Sequence, residues 1–102
     1  MYNISNPATF RENIRNELKK SLKSNKKSTN LEIGIYNYCL KEANQKRIIR
    51  KWENKYFVQL YIDRLRTIYL NLKNNKLLTK LLNNEIVPED FAFLTHQEMK
   101  PE

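Results

Sequence analysis

Phe57, Tyr61, Leu65, Ile68 and Leu72 recur at steps of four, four, three and four residues. Only a helix brings such positions to one side, because 3.6 residues make a turn. Val58, Ile62 and Tyr69 widen the stripe. The pattern predicts an apolar helix from Tyr56 that is central to the fold. Phe10, Ile14, Leu18 and Leu22 step by four throughout and predict a second helix. Asn6-Pro7 ahead of it reads as a cap followed by a first-turn proline, whose missing N–H would be unpaired there anyway. Arg11, Arg15, Lys19 and Lys23 follow the same step one residue on, about 100° around the axis. Such a stripe is either a solvated face or a binding patch.

Between these helices another is expected from Thr29, since Thr29 and Glu32 have capping-box spacing. Leu31, Ile35, Tyr38 and Cys39 form its buried face, and it runs to about Ala43 or Asn44. Gly34 inside it should cost about 1 kcal/mol relative to alanine unless a neighbour packs close. Gln45 to Trp52 has helical composition, and Glu53-Asn54-Lys55 reads as a break. Asn74-Asn75 marks a turn before a short helix carrying Leu77, Leu78, Leu81 and Leu82. Glu85 to Val87 should be extended, because the residue before a proline avoids the helical region. Pro88 to Phe91 then makes one helical turn, and Thr95 with Glu98 repeats the capping-box spacing. The fold class is all-α.

The 102 residues, 12.4 kDa in mass, suit one domain with a modest core. A hydrophobic fraction of 40% argues against disorder. One glycine excludes a Gly-rich phosphate loop. One cysteine excludes a disulfide framework, and with one histidine it excludes a Cys/His zinc site within these residues. No long apolar run and no signal-peptide core occur, so no membrane association and an intracellular location are expected. The charge is uneven. Residues 1–84 carry 18 basic and 6 acidic side chains, whereas residues 85–102 carry 1 and 5, within a total of +8. A basic body with an acidic tail points to a polyanion or an acidic protein surface as partner. The abundance of Asn, Lys, Ile and Tyr is the composition an AT-rich genome produces.

No catalytic constellation is visible, so the chain is not expected to be an enzyme. His96 falls in a surface turn. Cys39 lies on an apolar face, where a small buried hydrophobe is the simpler reading than a reactive thiol. Glu89-Asp90 suits a helix start through the helix dipole.

Tyr61-Ile62-Asp63-Arg64-Leu65-Arg66-Thr67-Ile68-Tyr69-Leu70-Asn71-Leu72-Lys73 resembles the Y-x-x-R-x-R-x-x-x-x-N-L-K motif in the central domain of transcription elongation factor S-II (TFIIS). Glu85 to Phe91 is similar to that family's G-E-I-x-P-x-x-L/F, with Asn84 in the glycine's place. Leu94 to Met99 is similar to M-T-x-E-E-M, and Leu31-Glu32 with Ile35-Tyr36 to I-E-x-x-I-Y. The pieces keep their order across residues 8–100. Residues 45–56 read as an insertion. Within them, Lys51 to Lys55 resembles a feature of S-II-like proteins from large DNA viruses.

The resemblance implies a three-helix bundle with additional short C-terminal helices. It divides the chain into a polar lead (1–6), the helical domain (7–100) and the start of a linker (101–102). It also implies docking on the largest subunit of a multisubunit RNA polymerase, in the nucleus or in a viral factory or virion. The family's zinc ribbon, which assists cleavage of backtracked RNA, would lie outside these residues, and no cofactor is expected within them. Arg64 and Arg66 match the docking motif but project about 200° apart. Arg66 and Lys73, seven residues apart, share a face, and Lys76 completes the candidate partner-binding set. For Arg64 an intramolecular ion pair is an equal alternative. The rival reading is a free-standing basic helical nucleic-acid-binding protein; the docking reading expects only weak, nonspecific nucleic-acid binding. A monomer is the default.

Overall fold

The side chain of Asn6 accepts a hydrogen bond from the Thr9 N–H at 3.2 Å, and Pro7 opens the first helix, α1 (Pro7–Leu22). In this computed structural model, residues 6–95 and Glu98 are described. Four helices follow: α2 (Asn25–Gln45), α3 (Lys55–Asn71), α4 (Asn75–Leu82) and α5 (Pro88–Phe91). No strand occurs among the described residues. The first three are the long helices of the expected bundle, and α4 and α5 are the short C-terminal ones. Asparagine and serine cap α1 to α4. Asn54 accepts from the Tyr56 N–H and Asn74 from the Lys76 N–H, each at 3.0 Å, and Ser24 accepts from the Lys27 N–H at 3.2 Å. α1 ends at Lys23, whose φ of 54° is the left-handed conformation that glycine usually supplies.

Two expectations need correction, and one segment left open takes a definite form. α2 begins a full turn before Thr29, because Ser24 caps it. The capping box proposed for Thr29 does not form, since Glu32 points into the core with no exposure. Residues 46–54, where helical composition left a helix or a loop open, are not helical. α2 ends at Gln45, Arg47 turns the chain at φ 57°, and α3 starts only after Asn54. The helical composition there is overridden by Trp52. Its indole stacks on Tyr36 at 5.8 Å and meets Phe57 and Tyr61 edge-on at 5.2 Å each, which draws the segment across the end of the bundle. Finally, the central helix is α2 rather than α3. It packs against α1, α3 and α5, and no other pair of described helices is joined as extensively.

Gly34 explains part of that centrality. A Cβ at this position would lie 2.8 Å from the Ala92 Cβ, 3.0 Å from the Glu89 Cα and 3.2 Å from the Glu89 carbonyl oxygen. α5 therefore rests directly on the backbone of α2. The propensity cost of the glycine is offset by the close approach that was its stated condition. Phe91 and Ala92 are consequently fully buried, beside Leu31, Ile35, Tyr61 and Ile68 in one core.

Candidate functional site

Arg64 and Arg66 leave α3 on opposite sides. Arg64 turns inward and is only 9% exposed. Its Nε donates to the Ala92 carbonyl at 3.0 Å, and its Nη2 lies 2.7 Å from the carbonyl oxygens of both Ala92 and Leu94. The Tyr38 ring of α2 lies against the guanidinium, with its centroid 3.9 Å from Cζ. Carbonyls at the end of a helix lack internal partners and carry partial negative charge, so a buried cation is tolerated there. Burial lowers the Arg64 pKa, and Tyr38, Cys39 and Glu42 partly oppose the fall. A guanidinium remains charged regardless. Carbonyls thus take the place of the internal ion pair that was one of the two alternatives for Arg64. Arg64 fastens the segment after α5 to α3, and these bonds occupy three of its five N–H donors.

Arg66 is exposed. Four residues on, Leu70 is 59% exposed on the same face, and Lys73 is exposed just past the end of the helix. Lys76 is exposed in the first turn of α4, and Lys80 follows it at helical spacing. Among the described residues no ion pair engages Arg66, Lys73, Lys76 or Lys80. The structure thus brings three of the four candidate residues onto the C-terminal half of α3 and the start of α4, and separates Arg64 from them. The sequence reading missed Leu70 and Lys80. Both were legible as same-face neighbours, four residues from Arg66 and Lys76. Beside Arg66 an open apolar groove of about 270 Å³ runs between α1 and α3, walled by Ile14, Leu18, Ile62, Leu65 and Tyr69.

The basic stripe of α1 divides in two. The Arg11 Nε and Nη2 donate to the Glu32 carboxylate at 2.7 and 3.0 Å, and the Arg15 Nε donates to it at 2.9 Å. The Tyr61 hydroxyl donates to the same carboxylate at 2.8 Å. Burial alone would lower the Arg11 pKa, but hydrogen bonding and attraction to Glu32 outweigh it and raise it. Burial, followed by the charge of Glu32, raises the Tyr61 pKa. These two arginines hold α1, α2 and α3 together, which leaves Lys19 and Lys23 as the exposed part of the stripe.

Other candidates are quickly placed. Cys39 is fully buried, and burial pushes its thiol up to about 12. No group of three His, Cys, Asp or Glu that could hold a metal ion occurs among the described residues. Glu89 and Asp90 stand in the first turn of α5 as expected. The Thr95 N–H donates to Glu98 at 2.9 Å and the Glu98 N–H to Thr95 at 3.2 Å, which is the capping box foreseen. His96 lies outside the described residues. No described helix is long and apolar enough to cross a membrane.

The fold and the placement of the Arg64–Lys73 motif can be set beside known proteins. Neither a curated protein nor a solved structure matches the chain. The family whose model does match is that of the transcription factor S-II (TFIIS) central domain, over residues 6–102. The match spans nearly the whole chain, and the chain belongs to that family.

Proposed function

We propose that the chain is the RNA polymerase-docking module of a TFIIS-like elongation factor. Arg66, Leu70, Lys73 and Lys76 would form the contact with an acidic surface of the largest polymerase subunit. The observation that supports this reading is the set of exposed cations, none of them in an ion pair among the described residues, on and just past the family's own motif beside an exposed leucine. Cations steer the approach, while a desolvated apolar contact at the centre slows dissociation. In a full factor, a zinc ribbon outside these residues would act on backtracked transcripts, and this module would position it. Nothing in the domain itself does the chemistry. The site of action is the nucleus or, for a viral factor, the cytoplasmic factory.

The test is the affinity of the chain for its cognate multisubunit polymerase, measured beside free duplex DNA and RNA at roughly physiological salt, where exposed charges more than about 8 Å apart are largely screened. Selective binding to polymerase supports docking. Tight binding to free duplex with none to polymerase overturns it.

A further inference from the structure

The connection between α2 and α3 carries a charge that neither the core nor the docking surface uses. Lys46, Arg47, Arg50, Lys51 and Lys55 are all exposed, against one carboxylate, Glu53. Lys46 stands 3.9 Å from Glu42, and among the described residues no ion pair engages the other four. The backbone presenting them is held in place. Trp52 is seated in the aromatic cluster, and the Asn54 Nδ2 donates to the Ile49 carbonyl at 2.9 Å. The Lys51 N–H donates to that same carbonyl at 3.0 Å. The seat of Trp52 and these hydrogen bonds explain why the segment folds as it does. The cations repel one another and add nothing to that anchor.

Two further side chains say which polyanion fits. Ile49 is 65% exposed and Tyr56 is 62% exposed, and the Lys55 ammonium lies 5.3 Å from the centroid of the Tyr56 ring. Single strands are held by aromatic rings on which bases stack, flanked by cations that take the phosphates. An acidic polypeptide would pair with the charges but brings no base to stack on the ring. A duplex keeps its bases stacked inside and offers the ring nothing. We propose that residues 46–56 form a second surface that binds single-stranded nucleic acid. Arg47, Arg50 and Lys51 contact phosphates, and Tyr56 stacks on a base. α3 spans 17 residues, about 25 Å. This surface sits at its N-terminal end, and Lys73 and Lys76 lie beyond its other end, so a strand and a polymerase surface can be bound together.

The experiment is fluorescence anisotropy of the chain with labelled single-stranded RNA and DNA oligonucleotides across a salt series. A duplex and a labelled polyglutamate are included as competing ligands. The triple change Arg47→Gln, Arg50→Gln, Lys51→Gln is expected to weaken single-strand binding at least about tenfold and to flatten the log–log salt slope by about 2. Tyr56→Ala is expected to weaken it about fivefold or more at every salt, with the slope unchanged. The pair Lys73→Gln, Lys76→Gln should change it less than about twofold at moderate salt, having removed charge elsewhere. Circular dichroism melting shows that each variant is folded. Three results overturn the proposal: equal losses in the triple variant and the Lys73/Lys76 pair, no effect of Tyr56→Ala, or polyglutamate or duplex bound more tightly than the single strand.

Discussion

Cys39 and Glu32 show how far a side chain's chemistry depends on what packs over it. Both lie on the inner face of α2 with no exposure. The Cys39 thiol is an ordinary thiol in the unfolded chain, with a pKa of 9.0, and burial takes it to about 12 in the folded one. Below pH 9 it is protonated in both states and contributes no pH dependence. From about pH 9 to 12 the unfolded chain gives up a proton that the folded chain keeps, so stability falls by up to about 1.4 kcal/mol per pH unit. Tyr61, raised in the same direction, adds to the loss above its unfolded value of 10.0. Urea midpoints measured at one-unit steps through this range should decline, and should decline less steeply in Cys39→Ala. For Glu32, replacement by glutamine removes the charge that two arginines and a tyrosine address. Arg11 and Arg15 are 22% and 33% exposed, so water partly rescues them. The loss should be about 2–3 kcal/mol rather than the full cost of stranding a buried charge, read as a lower urea midpoint with helix content retained. None of this network was legible in the sequence. Thr29 and Glu32 satisfy a local capping pattern, and nothing local says that Ser24 captures the cap first or that Arg11 and Tyr61 converge on the same carboxylate.

Among the elements, those with strong periodicity were read well. Leu18 and Leu22, and Phe57, Tyr61 and Ile68, are buried as their spacing requires, and Asn6-Pro7 starts α1. The weak point was residues 45–52, where Lys, Arg and Ile permit a helix and only the long-range seat of Trp52 forbids it. The order of the bundle was equally hidden. A hydrophobic stripe tells how much surface a helix buries, not how many neighbours share it, so α2 with its single glycine was ranked below α3. Gly34→Ala tests the contact that puts α2 at the centre. Alanine gains about 1 kcal/mol of helix propensity. Two of the three atoms its Cβ would meet are backbone atoms of Glu89, which cannot swing aside, so α5 must move, and overpacking of this kind typically costs about 1–3 kcal/mol. The net outcome should be destabilisation, with α5 loosened first. Hydrogen exchange at the Phe91 and Ala92 amides should accelerate more than exchange in α1.

For the molecule as a whole, the basic residues behind the charge asymmetry fall into three groups. Arg11, Arg15 and Arg64 are structural, Arg66 to Lys80 form an open surface on one side, and residues 46–55 form another at one end. Arg64 and Arg66 make the sharpest comparison, because they are two residues apart in one motif and the resemblance assigns them one role. Geometry separates them. Arg64→Ala removes three hydrogen bonds to Ala92 and Leu94 and leaves the buried Ala92 carbonyl and the part-buried Leu94 carbonyl without them. It should lower stability by about 2–4 kcal/mol, since bonds to a charged donor are stronger than neutral ones and the stranded acceptors carry their own penalty. Arg66→Ala removes an exposed, unpaired side chain and should leave the melting temperature nearly unchanged. Docking is expected to reverse the ranking. Arg66→Ala or Leu70→Ala should weaken polymerase binding by about 1–2 kcal/mol at a temperature where all variants are folded. Arg64→Ala should weaken it only as far as the C-terminal segment is disordered, and a stabilising osmolyte should restore much of that loss. Affinity titrations and thermal melts on the same three variants decide the matter. Were Arg64→Ala to abolish binding while the domain stays fully folded, the docking surface would have to run through Arg64, and the division drawn here between holding the fold and meeting the partner would fail.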